Sequence, residues 1–203
     1  MVYLFYTLLD MLMCLLWIAA YTFVLIGSIK YKYPLISPIT QAFIAPFEFA
    51  VFILFVFVEK YTFNYASAAY LYWTAIEIIT MVAILAMGAI EKKYIVPYLL
   101  FTAFVCIIMI YFVTIKGHVL FFSYFNTFIG ELFWLNHIRK DDYPMKPYAI
   151  AAFISKLIAD FIAVFLYFGN GPIIISAICL MLPMLDAYFV YVWYKRRNSI
   201  KQK

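Results

Sequence analysis

Six carboxylic acids and one lysine lie inside the long apolar runs of this 203-residue chain: Asp10, Glu48, Glu77, Glu131, Asp160, Asp186 and Lys156. Groups of this kind give or take a proton, steady a developing cation, or pair with one another. Keeping a charged side chain at the centre of hydrocarbon costs roughly 2.5–3.5 kcal/mol even on a lenient insertion scale. Leu would avoid that cost at every position, so retention of several points to use.

Glu48 sits in Ala45-Pro46-Phe47-Glu48-Phe49. Pro46 removes a backbone donor and can open a nearby carbonyl. Phe47 and Phe49 flank the carboxyl group with apolar surface, which favours the uncharged acid and suits a proton donor. The competing reading is a neutral Glu bonded to a neighbouring helix. Asp186 follows Pro183, a kink position, and its side chain is too short to snorkel to water. Tyr188, two residues on, lies on a different face. Trp73 and Glu77 are four apart and share a face. An indole wall beside an acid suits a pocket for a cation, and an interhelical hydrogen bond suits it as well. Lys156 and Asp160 have the same spacing and read as a structural internal ion pair. Glu131 shares its run with Asn126 and with His137, which is expected at the water interface. Asp10 lies nearer the opposite surface.

These groups must be carried by membrane helices. Hydrophobic residues make up 68% of the chain and charged residues 12%, and mean hydropathy is +0.99, which is far too apolar for a soluble domain of this length. The apolar runs cover 3–28, 39–58, 67–90, 95–115, 118–137, 148–168 and 172–194, each near the ~20 residues that cross a bilayer as a helix. Backbone groups in lipid must bond internally, so the runs are helices, and their continuity excludes a β-barrel. The expected fold is all-α: a single seven-transmembrane-helix domain over 1–203. The net charge of +5 does not point to nucleic acid. Lys30, Lys32, Lys92, Lys93, Arg139, Lys140, Lys146 and the cluster Lys195 to Lys203 fall after alternate spans, against Lys60 and Lys116 on the other side. The positive-inside rule then puts the N-terminus outside and the C-terminus in the cytoplasm. The first span, with no basic leader, is not a secretory signal.

Several chemistries have no signature here. A P-loop, a Gly-rich dinucleotide fingerprint, HExxH and a nucleophile elbow are all absent. Cys14, Cys106 and Cys179 have no paired spacing and read as packing residues. No metal and no cofactor is expected, and no adjacent acid pair of the DDxxD kind is present to bind a magnesium diphosphate.

The layout resembles the small seven-span membrane terpene cyclases of fungal meroterpenoid and indole-diterpene pathways, which have bacterial relatives. Phe47-Glu48-Phe49 is similar to their Trp-Glu-Phe element in the second span, with Phe in place of Trp. Trp73 and Glu77 are similar to their third-span Trp and acid, with Glu in place of Asp. Asn126 through Arg139 and Lys140 resembles their fifth span, and Asp186 with Tyr188 resembles the acid and Tyr of their last span.

The resemblance implies proton-initiated cyclisation of a polyprenyl chain, often one with a terminal epoxide, inside the bilayer and without diphosphate ionisation. Glu48 would be the acid, Asp186 its assistant or the final base, and Glu77 a third catalytic group. Phe47, Phe49, Trp73, Asn126, Trp134 and Tyr188 would contact the folded substrate. The partners implied are a lipophilic prenyl substrate and membrane lipids, in a bacterial cytoplasmic membrane or endoplasmic reticulum. The alternatives are a proton-coupled transporter or channel built on the same acids, a sterol-isomerase-like membrane enzyme, and a membrane subunit that docks a partner. The topology is testable directly: reporters fused after Lys203 should be active only when cytoplasmic, and reporters fused before Met1 only when outside. The reverse pattern overturns the charge argument.

Overall fold

A computed structural model describes residues 2–58, 65–116, 119–169 and 172–201. Lys60 and Lys203 lie outside the described residues. The described residues form seven helices: α1 Val2–Tyr31, α2 Pro38–Ile53, α3 Tyr65–Ala86, α4 Lys92–Ile110, α5 Val119–Ile138, α6 Pro147–Tyr167 and α7 Ile173–Lys201. A π turn prolongs α2 over Leu54–Val58 and another prolongs α4 over Tyr111–Ile115. Among the described residues there is no strand. Six helices, all but α5, are long and apolar enough to cross a bilayer. The chain is therefore a helical bundle of the multi-pass membrane class.

The reason α5 falls short lies in its load of Ser123, Asn126, Thr127, Glu131, Asn136 and His137, and the packing explains that load. In the bundle α1 packs on α6, α6 on α7, α7 on α5, α5 on α2, α2 on α3 and α3 back on α1, closing a ring of six. Helix α5 is a member of the ring, so its polar face looks inward. Helix α4 lies outside the ring against α2. It is the most apolar of the six candidate spans, and its only charges are Lys92 and Lys93 at its start. Polarity thus follows position: Lys156 and every buried carboxyl group discussed below come from ring helices.

One end of the ring is closed by the link between α1 and α2. Lys32 takes φ 51, and the chain then folds inward so that Leu35 and Ile36 are fully buried. Burial of two such side chains stabilises by roughly 1.5–3 kcal/mol each. Backbone groups of a buried link need partners, and they have them. The Leu35 amide donates to Ser28 Oγ at 2.9 Å. The Leu35 carbonyl accepts from Trp134 Nε1 at 2.7 Å and from the Tyr143 hydroxyl at 2.9 Å. His137 Nε2 lies 2.7 Å from the Pro34 carbonyl. A carbonyl only accepts, so that nitrogen carries the proton. His137 is buried, not solvated at the interface as its place in the chain suggests, because this link folds over it. Ser37 then caps α2 by accepting from the Thr40 amide, with Pro38 in the first turn.

Basic connectors gather at the same end. Arg196 donates to the carbonyls of Ile138 and Lys140, and Tyr33 donates to Asp142 at 3.2 Å. Burial and the Asp142 carboxylate push the Tyr33 hydroxyl up to about 12, so it stays a donor at neutral pH.

Gly27 permits the tightest approach. A Cβ there would collide with Leu35 Cδ1 and stand 2.8 Å from Tyr148 Cβ. Gly27→Ala should therefore destabilise the bundle, since overpacking costs about 1–3 kcal/mol against the ~1 kcal/mol that Ala gains in a helix. Thermal unfolding in detergent tests this, and an unchanged or raised midpoint would show that the link can move aside.

Candidate functional site

The ring interior holds a charged cluster, an amide–acid pair and a small cavity. The cluster centres on Lys156 of α6. Its Nζ donates to Glu131 Oε1 of α5, to Asp160 Oδ2 one turn on at 2.5 Å, and to Asp186 Oδ2 of α7 at 3.2 Å. An ammonium has three donors, and all three are used. The four side chains are at most 2% exposed. Asp160 is bonded on both oxygens, because Trp17 Nε1 of α1 donates to its Oδ1 at 2.8 Å. Glu131 Oε2 and Asp186 Oδ1 are buried without a hydrogen-bond partner. Carboxylate oxygens of Glu131, Asp160 and Asp186 lie within 4.8 Å of one another, a spacing that suits a metal ion. Here the tethered ammonium bonds to all three and takes the place of such an ion.

The Lys156–Asp160 ion pair expected from the spacing is present, but it is one edge of a larger cluster joining α5, α6 and α7. That cluster also claims Asp186.

The amide–acid pair joins α2 and α3. Gln41 Nε2 donates to Glu77 Oε2 and, at 2.9 Å, to the Glu77 carbonyl. Gln41 Oε1 and Glu77 Oε1 remain buried and unpaired. Nearby, Thr40 donates to the Gly130 carbonyl at 2.8 Å, and Asn126 Nδ2 donates to the Phe43 carbonyl at 2.9 Å.

Between these lies a cavity of about 20 Å³, room for one water molecule. Glu48, Phe47, Trp73 and Lys156 line it, with Trp17, Tyr21, Tyr70, Ser123 and Thr127. Glu48 keeps some exposure as a residue, yet its Oε2 is shielded and has no partner, and neither does Trp73 Nε1. Tyr70 meets Trp73 edge-on at 4.9 Å, and Trp17 lies 5.8 Å from Trp73. The acid thus faces a ring-lined recess with one cation at its edge. On the outer side of the same α1–α3 seam runs an apolar groove of about 320 Å³, lined by Met11, Cys14, Ile18, Ala69 and Tyr72 among others.

The remaining expected site residues lie elsewhere. Phe49 faces outward at 36% exposure. Tyr188 is also outward, its hydroxyl accepting from Arg139 at 2.8 Å. Trp134 packs at a tilt against Phe153 and Phe189 in the core beside the buried link. Asp10 accepts from Tyr167 at 2.5 Å, away from the cavity. Six lining residues were not singled out from sequence for the cavity: Trp17, Tyr21, Tyr70, Ser123, Thr127 and Lys156. Two signals could have found some of them. Ser123, Thr127 and Glu131 recur every four residues on α5, and Trp17 and Tyr21 have the same spacing on α1.

Comparison with protein-family models, with curated proteins and with solved structures found no match to the chain.

The cluster makes a sharp stability prediction. Lys156→Met removes the only cation among three buried carboxyl groups, and breaking such a pair costs about 3–5 kcal/mol. Adding Asp160→Asn to Lys156→Met should restore part of the loss. Thermal unfolding of the two variants against wild type checks both effects. A second substitution that deepens the loss would show that the cation is not what holds the acids.

Proposed function

We propose that the protein is a membrane-embedded proton-transfer enzyme that starts cyclisation of a polyprenyl chain with Glu48 as acid. The observation that carries this reading is Glu48 itself: a carboxyl group with a shielded, unpaired oxygen, set among Trp17, Tyr21, Phe47, Tyr70 and Trp73. Aromatic faces stabilise positive charge, and exclusion of water protects a carbocation. The short elements around Glu48, Trp73 and Asp186 that resemble the membrane terpene cyclases support the same assignment.

In this reading the seven helices are seven spans, with the basic end of the ring in the cytoplasm. A cavity of about 20 Å³ does not hold a prenyl chain, since ligand pockets run to roughly 300–1,000 Å³. The substrate must therefore part the α1–α3 seam, and the apolar groove outside that seam is its approach from the lipid. Phe47 and Trp73 contact the reacting end, and Asp186 serves Glu48 through Lys156.

A proton-coupled transporter is the second reading, favoured by the Lys156 cluster at the centre of the ring. The buried α1–α2 link weighs against it, because Leu35 and Ile36 fill the basic end of the ring where a path would emerge.

Purified protein in lipid nanodiscs, given a panel of polyprenyl alkenes and terminal epoxides, should yield cyclised product. Glu48→Gln should lower its rate by about 10²–10⁴, the scale of a positioned general acid. Equal product from Glu48→Gln would remove the assignment. Substrate-dependent proton flux in liposomes, without cyclised product, would establish the second reading.

A further inference from the structure

Glu48 needs its proton back after each donation, and the cluster holds protons to give. If Lys156 is charged and Glu131, Asp160 and Asp186 were all ionised, the buried cluster would carry two uncompensated negative charges, which a dry interior does not tolerate. The hydrogen-bond pattern leaves two oxygens where those protons fit. Asp160 accepts on both oxygens, from Trp17 and from Lys156, as a carboxylate does. Glu131 and Asp186 each accept from Lys156 on one oxygen and leave the other without a partner. Those bare oxygens, Glu131 Oε2 and Asp186 Oδ1, are the places for O–H groups.

Lys156 also borders the cavity that holds Glu48. The cavity fits one water, and a buried water needs two to four polar partners. Glu48 Oε2 and Trp73 Nε1 are both buried there without one, and Trp73 is only 2% exposed. Ser123 and Thr127 line the same space, although Thr127 already donates to the Ser123 carbonyl.

We infer that Glu131, Lys156, Asp160 and Asp186 form a proton store that recharges Glu48 through a single water bound between Glu48, Trp73 and Lys156. The longest of the Lys156 bonds, 3.2 Å to Asp186, is the one that yields. Its N–H turns to the water. One water O–H bond breaks as its proton goes to Glu48 Oε2, and a Lys156 proton goes to the water oxygen. The Asp186 carboxyl group, freed from the bond that yielded, turns its Oδ1–H to the Lys156 nitrogen and the proton crosses to it. Glu48 ends as a neutral acid, the water and ammonium are restored, and Asp186 ends as a carboxylate facing Lys156. One negative charge has moved from an aromatic recess to the side of a cation, which gives the transfer its direction. Lys156 and Asp186 are positioning residues in this scheme, acting on the substrate only through Glu48.

The relay deepens the assignment of Glu48 as the acid, but its test uses the resting protein and no substrate. The carboxylic C=O infrared band of Glu48 is identified as the one lost in Glu48→Gln. Transfer to heavy water then reads the rate at which that band shifts as its proton is replaced. Asp186→Asn keeps the side-chain shape and an acceptor for Lys156 but has no acid proton. It should slow exchange at Glu48 on the order of a hundredfold, the scale of a positioned proton-transfer group. Lys156→Met with Asp160→Asn, which keeps charges balanced, should do the same. Exchange at the wild-type rate in Asp186→Asn, or the absence of any Glu48 acid band in the wild-type protein, overturns the relay. Failure to find a prenyl product would leave this result unchanged, so the two assignments fail separately.

Discussion

The interior is organised around one ammonium group. Lys156 Nζ ties α6 to α5 through Glu131 and to α7 through Asp186, while Asp160 on its own helix carries the link on to α1 through Trp17. Three of the six ring helices thus meet at a single point charge, and a fourth joins them through Asp160. Helices in lipid gain little from apolar packing alone, so polar contacts of this kind set which faces turn inward. Once those faces are set, the α5 stripe of Ser123, Thr127 and Glu131 points into the ring, and Glu48 and Trp73 from α2 and α3 complete the far wall of the cavity. The arrangement leaves α4 with nothing to contribute, and its uniform apolarity agrees with a place outside.

Much of this was legible in the amino-acid order because membrane helices obey strong constraints. Runs near twenty apolar residues can do little but form helices, and each of the seven expected runs falls on one of the seven helices. The i, i+4 pairs were also readable: Trp73 lines the cavity one turn from Glu77, and Lys156 meets Asp160. What local spacing does not carry is which helices become neighbours. Asp186 reads as a partner for Glu48, yet its bond is to Lys156, a residue thirty positions away. Phe47 and Phe49 look alike in sequence, but a helix turns about 100° per residue, so one borders the cavity and the other faces outward. His137 reads as an interfacial residue and is buried by a link more than a hundred positions earlier in the chain.

The same geometry separates a store from a conduit. A conduit needs polar groups or water reaching both surfaces. Here Glu48 and the cluster lie around a cavity of one-water size, and the basic end is filled by Leu35 and Ile36, fastened by Trp134, Tyr143 and His137. A proton can circulate within such an interior without crossing it. In the proposed cyclisation that suits an acid reused at each turnover.

The fastening of the α1–α2 link also dictates an order of assembly. Its anchors, Trp134, His137 and Tyr143, lie roughly a hundred residues downstream. During synthesis the first two helices enter the bilayer long before those anchors leave the ribosome, so Leu35 and Ile36 must wait at the surface with their backbone groups solvated. The mouth of the bundle shuts only when the fifth helix and the turn after it arrive. A nascent chain halted before that point would have its first helices inserted and its mouth still unsealed.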